Sequence, residues 1–531
     1  MSIVITQLDD NLSVAGQISI DDLNEIAESG FKSIICNRPD YEGGSDQPSS
    51  EELERLAKTH GIAFAYLPVE IDALLAEHGA RFKVLTAELP SPILAFCGSG
   101  KRATALHNLA NEGTVEQQSV SAACNWSNAF DIVVVGGGSA GIGVTASLLK
   151  RRASLSIAII EPNDKHYYQA AWTLVGGGAY DAVDTVKNMA DVIPQGSEWI
   201  HVAAASFDPD NNLVNLADGR SIGYRQLIVC PGIRLAWEKI KGLEETLGKN
   251  GVTSNYAYEL APYTWSLVQR LSSGRALFTQ PPMPIKCAGA PQKAMYLSCD
   301  YWLRNNNLDN IDVEFDTAGA VLFGVADFVP SLMVYVKRYD AKLEFNSNLV
   351  GVDGESKIAY FEIKDGQGNV KRVEEKPFDL LHVTPPQMSP DFLRVSPLAD
   401  ASGFCDVDQK TLRHVRYSNI FSLGDACSSP NAKTAAAVRK QIVVVAENVM
   451  AEKEDRDLTT LYDGYGACPL TVENGKVVLA EFGFGGKLLP SFPLDPTVPR
   501  KVSWLMKVKL FPWLYWNAML KGKEWLARPG K

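Results

Sequence analysis

FDIVVVGGGSAGIGVTASLL, residues 130–149, runs from an apolar strand through a glycine turn into the start of a helix. Gly136, Gly138 and Gly141 have the spacing GxGxxG. The first glycine of such a turn permits a tight bend, the second lets a pyrophosphate approach the backbone, and the third allows the helix to pack closely on the strand. Ser139 and Ala140 lie between the last two glycines, where the helix N-terminus stabilises phosphate charge. Further on, SIAIIEP (156–162) is a second apolar strand with Glu161 at its end, the position of a ribose-binding acid. Strand, glycines, helix and acid in this order predict an α/β dinucleotide-binding fold.

Two later segments narrow the nucleotide. YRQLIVCPG (224–232), ending in Gly232, resembles the strand and glycine turn of flavoproteins with two dinucleotide-binding-type domains. YSNIFSLGDA (417–426) resembles their terminal strand, which implies that Gly424 and Asp425 meet the flavin end of FAD. Flavoproteins reduced by NAD(P)H carry another GxGxxG in mid-chain. Here the candidate strand GRALFTQ (274–280) is followed by PPMPIKCAGAP, with proline and cysteine where glycines are needed, and VEFDTAG (313–319) is followed by AVLFGV. Bulky residues keep a pyrophosphate from the backbone. The second domain, expected over about 250–375, should therefore keep its shape without binding a nicotinamide.

IKCAGAPQKAMYLS (285–298), LLHVTPPQMSP (380–390), GDACSSPNAKTAAAVRKQ (424–441) and LYDGYGACPLT (461–471) are similar to segments of the sulfide:quinone oxidoreductases of the mitochondrial-like type. The resemblance runs from about residue 130 to the C-terminus. It implies FAD as cofactor, sulfide as substrate, ubiquinone or menaquinone as electron acceptor, and a disulfide or sulfur-bridged cysteine pair on the flavin. Carried onto this chain, the pair is Cys287 and Cys427, and Lys433 and Thr434 join the cofactor contacts. Sulfide would leave as sulfane sulfur on glutathione, sulfite or a second sulfide. A thiolate is the nucleophile in such exchange, and a nearby cation or helix N-terminus lowers its pKa; Lys286 precedes Cys287, and a helix start follows Cys427. In the family pattern cysteine directly follows Gly-Asp, whereas Ala426 intervenes here, so Cys230 in IVCPG is a third candidate. Cys299 and Cys405 are expected to be buried, and Cys468 receives no role. The rival readings are a type II NADH:quinone dehydrogenase and a redox-regulated phosphatase or binding module.

Residues 1–110 alternate strand-like and helix-like stretches, and 111–129 are polar without periodicity, a linker to the flavin unit of 130–470. SPILAFCGSGKRATALHNLA (91–110) is a strand, loop and helix with Cys97 opening the loop and Arg102 closing it. Such a loop and an arginine hold an anion and favour a thiolate. With GQISIDDL (16–23) and ICNRPDYEGG (35–44) the unit resembles the phosphatase-like domains fused to β-lactamase-like hydrolases. Four residues separate Cys97 from Arg102, the rhodanese spacing, against five in tyrosine phosphatases. Sulfane-sulfur transfer at Cys97 is thus weighed against phosphatase activity and a silent domain. The second loop position, commonly arginine in these families, is Gly98; Arg38 and Asp40 are either polar partners or plain turn residues.

A net charge of −11 argues against nucleic acid as partner. The nine cysteines are irregularly spaced, which fits a reducing compartment. Neither a signal-like N-terminus nor an uncharged apolar run of about 18 residues is present, so the expectation is a cytoplasmic protein, peripheral on the inner face of the cell membrane. The region 471–531 supplies the membrane contact: its end, VPRKVSWLMKVKLFPWLYWNAMLKGKEWLARPGK, interleaves Trp504, Trp513, Trp516 and Trp525 with lysines, as interfacial segments do. Phe511, Trp513 and Tyr515 are candidate quinone contacts, and removal of 500–531 is expected to cost liposome binding but not flavin. A homo-oligomer is compatible with all of this.

Overall fold

Strand Phe130–Val135 buries its last four residues completely, as a strand must when both faces of its sheet are covered. It belongs to the second of two units in a computed structural model, which describes residues 5–527 except 10, 41, 43, 45–46, 70–75, 99, 112–128 and 431. The units are Met1–Ser121 and Ala122–Lys531. The expected linker, 111–129, falls almost wholly outside the described residues.

The N-terminal unit is a five-stranded sheet in the order Ile5–Gln7, Leu12–Ala15, Ile93–Phe96, Ser33–Cys36, Ala63–Tyr66. The first pair is antiparallel and the others parallel. Helix Ser50–Thr59 starts where Ser49 accepts from the Glu52 amide, a side-chain N-cap. Helix Lys101–Asn111 follows the Cys97 loop at the carboxyl end of Ile93–Phe96.

In the second unit, parallel strands Ser197–Ile200, Ile157–Ile160, Phe130–Val135, Ser221–Val229 and Ile420–Ser422 form the first dinucleotide-type sheet, extended by an antiparallel hairpin. Helix Ser139–Arg151 follows the glycine turn and packs against helix Ala435–Lys453. A second parallel sheet has the order Val252–Thr253, Leu380–His382, Gly274–Gln280, Ile311–Thr317, Lys342–Phe345. The hairpin Gly466–Glu473 and Lys476–Phe482 lies on helix Ala290–Arg304 of this half, so the boundary expected at 470 falls inside one strand. The chain ends in helix Lys501–Leu505, a π-helical turn Met506–Leu510 and helix Phe511–Asn517. Among the described residues no helix is long and apolar enough to cross a membrane.

Candidate active site

The three glycines divide their work as their spacing predicts. Gly136 has φ +110°, and a Cβ there would stand 2.3 Å from the Cys230 carbonyl oxygen. A Cβ on Gly141 would stand 1.8 Å from the Gly136 oxygen, so only glycine lets this helix approach. Gly138 faces open space, the side from which a phosphate can reach the backbone. Glu161 is buried at the end of its strand and accepts from the Gly137 amide at 2.7 Å and from Asn163 Nδ2 at 2.6 Å. Gly136, Gly137, Gly138, Glu161 and Asn163 line a cavity of about 530 Å³, together with Ser139, Ala140, Gly232, Gly424, Asp425, Lys433 and Thr434. Thr434 caps helix Ala435–Lys453 by accepting from the Ala437 amide, and Lys433 Nζ donates to the Asp425 carbonyl at 2.7 Å. Burial pushes the Asp425 carboxyl up, against the pull of Lys433 and Lys286.

Cys287 lines the same cavity, but its partner is not Cys427. Its Sγ lies 3.2 Å from Cys468 Sγ, and Lys293 Nζ donates to it at 3.1 Å. Cys287 takes φ +53°, an uncommon conformation for a side-chain-bearing residue, held by its amide on the Lys433 carbonyl and its own carbonyl on the Ala290 amide. Three residues later helix Ala290–Arg304 begins, with Lys293 in its first turn. The thiol is held well below its ordinary value by the hydrogen bond from Cys468, against burial, with Lys293 and Lys507 adding their charge. Cys468 is pushed well up by the same contact and by burial. The Lys293 ammonium, 3.1 Å from Cys287 Sγ, favours the thiolate on Cys287 rather than on Cys468.

The expected pairing with Cys427 is corrected by these positions. Cys427 is fully buried in the apolar core, where its Sγ donates to the Gly424 carbonyl at 3.2 Å and burial keeps the thiol protonated. The backbone at Cys427 forms a β-bridge with that at Cys405, and the sulfur is turned inward. Cys230 does line the cavity, but its thiol is buried and kept protonated. Cys299 and Cys405 are buried, as expected.

Two groups that the sequence did not single out, Lys507 and His166, complete the site together with Tyr515. Lys507, carried on the π-helical turn, is buried and donates to the Pro469 carbonyl at 3.2 Å, beside Cys468. Burial, then repulsion from Lys293, pushes it down to about 7. His166 Nδ1 meets the Gly137 carbonyl at 3.0 Å, so Nε2 is an acceptor, and Tyr515 donates to it at 2.6 Å. The Tyr515 hydroxyl in turn lies 2.7 Å from Ser139 Oγ. Tyr515 and Phe511 line the cavity, whereas Trp513 is 46% exposed and stacks on Trp525 at 5.9 Å.

The second parallel sheet carries a buried ion pair at one strand end. Asp316, near the end of the strand Ile311–Thr317 where a ribose acid would stand, takes Lys376 Nζ and Ser347 Oγ, each at 2.6 Å. Burial pushes its carboxyl up to about 6. In the N-terminal unit, Cys97 is buried at the end of its strand. Arg102 is also buried, and donates to the Val69 carbonyl at 2.5 Å and to Glu42 Oε1 at 2.8 Å.

A dinucleotide cradle and, in the wall of the same cavity, a cysteine in contact with a second sulfur define a flavoprotein of the pyridine nucleotide-disulfide oxidoreductase fold with a sulfur pair at its site. The description "Pyridine nucleotide-disulphide oxidoreductase" matches residues 130–268, and "Beta-lactamase hydrolase-like protein, phosphatase-like domain" matches residues 5–114. The chain is 39% identical over 406 residues to the mitochondrial sulfide:quinone oxidoreductase of Mus musculus, covering 76% of this chain and 90% of the mouse protein. With that of Dictyostelium discoideum it is 40% identical over 404 residues, 76% of this chain and 88% of the relative. The solved structure of the sulfide:quinone oxidoreductase from Aquifex aeolicus shares the fold at 20% identity, with a TM-score of 0.60 over 73% of this chain and 91% of the other. The chain belongs to the sulfide:quinone oxidoreductase family, with a phosphatase-like domain at its N-terminus. The glycine cradle, Glu161 and Asp425 in the cavity wall fit FAD, its cofactor.

Proposed function

We propose that this chain oxidises sulfide at the Cys287–Cys468 pair and delivers the two electrons through FAD to quinone. One observation carries the assignment: the two sulfurs lie 3.2 Å apart, and Cys287, with Lys293 Nζ 3.1 Å away, stands in the wall of the cavity that the glycine turn also lines. A small movement closes such a pair to a disulfide, and one bridging sulfur spans about 3.3 Å if each S–S bond is about 2.05 Å.

Hydrosulfide attacks the oxidised pair, and the thiolate that leaves most readily is the one of lower pKa. That thiolate is Cys287, stabilised by Lys293 and the adjoining helix N-terminus, so the incoming sulfur stays on Cys468 as a persulfide. An acceptor thiol then takes the outer sulfur and leaves the reduced pair. When bound, FAD supplies the two-electron acceptor that re-forms the oxidised pair and passes the electrons on to quinone. The balance is H2S + RSH + quinone giving RSSH + quinol. Lys507, pushed down to about 7, can hold or release a proton beside Cys468 near neutrality. The acceptor is a small thiol such as glutathione, or sulfite, or a second sulfide.

The C-terminal segment carries exposed Val502, Leu505, Trp513, Trp525 and Leu526 among Lys501, Lys509, Lys521 and Lys523, which supports a peripheral membrane contact on the quinone side. In the N-terminal unit Cys97 is read as an acceptor of sulfane sulfur. Supplying sulfide or NADH to the holoenzyme with decylubiquinone tests the main reading: sulfide should bleach the flavin and drive quinone reduction, and preference for NADH would overturn it. Peptide mass spectrometry after turnover tests Cys97, where a gain of about 32 Da is expected and its absence counts against transfer.

A further inference from the structure

Glu481, only 3% exposed, is a carboxylate in the cavity wall that the sulfur chemistry does not use. It stands on the strand Lys476–Phe482, whose partner strand Gly466–Glu473 carries Cys468. Side chains along a strand point alternately to its two faces, and the two faces of this hairpin meet different neighbours. Cys468, Leu470, Val478 and Ala480 pack into the core around helix Ala290–Arg304, on the side of Cys287. Ala467, Pro469, Leu479 and Glu481 line the cavity, with Ala467 opposite Glu481 and Pro469 opposite Leu479 in the ladder. Glu481 is thus on the face turned away from the sulfur of Cys468. We propose that Glu481 supplies, through the Tyr465 hydroxyl, one of the two protons that quinone takes up on reduction, a role that rests on the reading of quinone as the electron acceptor.

Hydrogen bonds define the path. Tyr465 donates to Glu481 Oε1 at 2.5 Å, the Ser491 amide donates to Oε2 at 3.0 Å, and the Tyr465 and Ser491 hydroxyls are 3.3 Å apart. All three residues line the cavity. Burial, then the charge of Glu481, pushes the Tyr465 hydroxyl up, so this tyrosine must regain a proton as it gives one away. A relay meets that requirement. The O–H bond of a protonated Glu481 breaks and that of Tyr465 is re-formed, while the proton leaving Tyr465 forms an O–H bond of the quinol. The electron pair and the other proton come with the reduced flavin of the established reaction. A Glu481 carboxylate accepting from Tyr465, the arrangement observed, is the state that follows delivery.

The surroundings suit a proton donor to a lipophilic acceptor on one side and a supply of protons on the other. Toward the cavity, Leu479, Phe492, Leu510, Phe511 and Leu514 give apolar lining. Arg439 lines it too, and Lys440 Nζ lies 5.1 Å from the Tyr465 ring centroid. A quinone oxygen that gains electrons is negative until it is protonated, and positive charge placed nearby favours it. A second cavity of about 20 Å³ is lined by Glu481 together with Arg500 and the exposed Asp495, and it has room for about one water. Leu479, Phe492 and Glu481 line both cavities, and of these three only Glu481 can carry a proton. The carboxylate can therefore be recharged from the solvent side while the main cavity stays occupied.

Stopped-flow absorbance on the full-length holoenzyme tests this, with the two halves of turnover followed separately. Sulfide should reduce the flavin of Glu481→Gln and of Tyr465→Phe within about twofold of the wild-type rate. Reoxidation by saturating decylubiquinone should slow at least tenfold in each. The double variant should be no slower than the slower single one, because groups on one path do not add. Ferricyanide takes electrons without a proton, and should reoxidise all four forms at rates within about twofold of one another. Quinone reoxidation at the wild-type rate in both variants overturns the proposal, as do losses that multiply in the double variant. So does a loss shared with ferricyanide, which marks a structural role, or one that saturating quinone removes, which marks binding alone. Flavin content reports whether each variant is folded, and if Glu481→Gln is not, Tyr465→Phe decides. A wild type that decylubiquinone fails to reoxidise brings down the reading of quinone and the relay with it, whereas equal reoxidation of wild type and variants brings down the relay alone.

Discussion

Replacing Lys293 by methionine keeps the length of the side chain and removes the charge 3.1 Å from Cys287 Sγ. At that separation an effective dielectric of about 20 gives a Coulomb attraction of about 5 kcal/mol. Lys293 is only 3% exposed, so solvent screens it little, but the loss of its own solvation offsets part of the attraction. A charged hydrogen bond is worth about 1.5–3 kcal/mol net, which is about a 10- to 100-fold loss of Cys287 thiolate at acid pH. The sign follows from removing a cation: the charged form is disfavoured and the thiol titrates at higher pH. A more basic thiolate is also a better nucleophile, so only about half of the effect survives on a logarithmic scale. Alkylation of Cys287 by iodoacetamide at pH 5 in the reduced holoenzyme, followed by peptide mass spectrometry, should therefore slow about 3- to 10-fold. The rising limb of its pH profile should move to higher pH. Lys293→Arg retains the charge and should shift the profile far less. An unchanged profile in Lys293→Met, or an equal shift in Lys293→Arg, would refute the claim that this ammonium makes the thiolate.

Cys468→Ser and Cys287→Ser should each lower sulfide:quinone turnover at least about 100-fold, while Cys427→Ser, whose sulfur faces the core, should retain flavin and most activity; a dead Cys427→Ser with normal flavin content would reverse the pairing. Ending the chain before residue 500 should release flavin as well as membrane contact, because Tyr515, Lys507 and Ala518 line the cavity of the glycine turn, so the expectation of flavin retention is replaced by its opposite. Absorbance of the purified truncated protein settles this. His166 is pushed down to about 4 by burial, below its value in the unfolded chain. Its contribution to stability is therefore complete above about pH 6.5 and lost as pH falls toward 4, by up to about 3 kcal/mol. The drop in thermal midpoint between pH 7 and 4.5 should shrink in His166→Gln, and an unaltered drop would remove His166 from the account.

The dinucleotide half of the molecule was legible because its constraints are local. Gly136, Gly138, Gly141 and Glu161 act within one strand–turn–helix–strand unit, and each needs a residue type that few alternatives satisfy. The departure of the second loop from glycine was legible for the same reason, since proline and cysteine stand within its own few residues. The ion pair at Asp316 was not, because Lys376 comes from another strand 60 residues away. The cysteine pair was half legible. Cys287 stood out through its loop, but its partner lies 181 residues on, in a hairpin whose packing on helix Ala290–Arg304 leaves no periodic signature. The one available signal was that Cys468 sat in a motif as particular as that around Cys287.

Register explains why the wrong cysteine looked right. Asp425 and Lys433 on either side line the cavity and Cys427 does not; Cys468 does not line it either, but it meets Cys287 at 3.2 Å, which Cys427 does not. Near a turn, a shift of one residue redirects a side chain altogether, so closeness in sequence to a cofactor motif says little about access to the cofactor. The backbone does what the sulfur cannot: the Cys427 carbonyl accepts from Lys433 Nζ at 3.1 Å, and the Lys433 carbonyl accepts from the Cys287 amide at 2.8 Å. The Gly-Asp loop thus holds Cys287 in its left-handed conformation through main-chain bonds, and a chemically silent cysteine at 427 is compatible with a loop that the sulfur site still depends on.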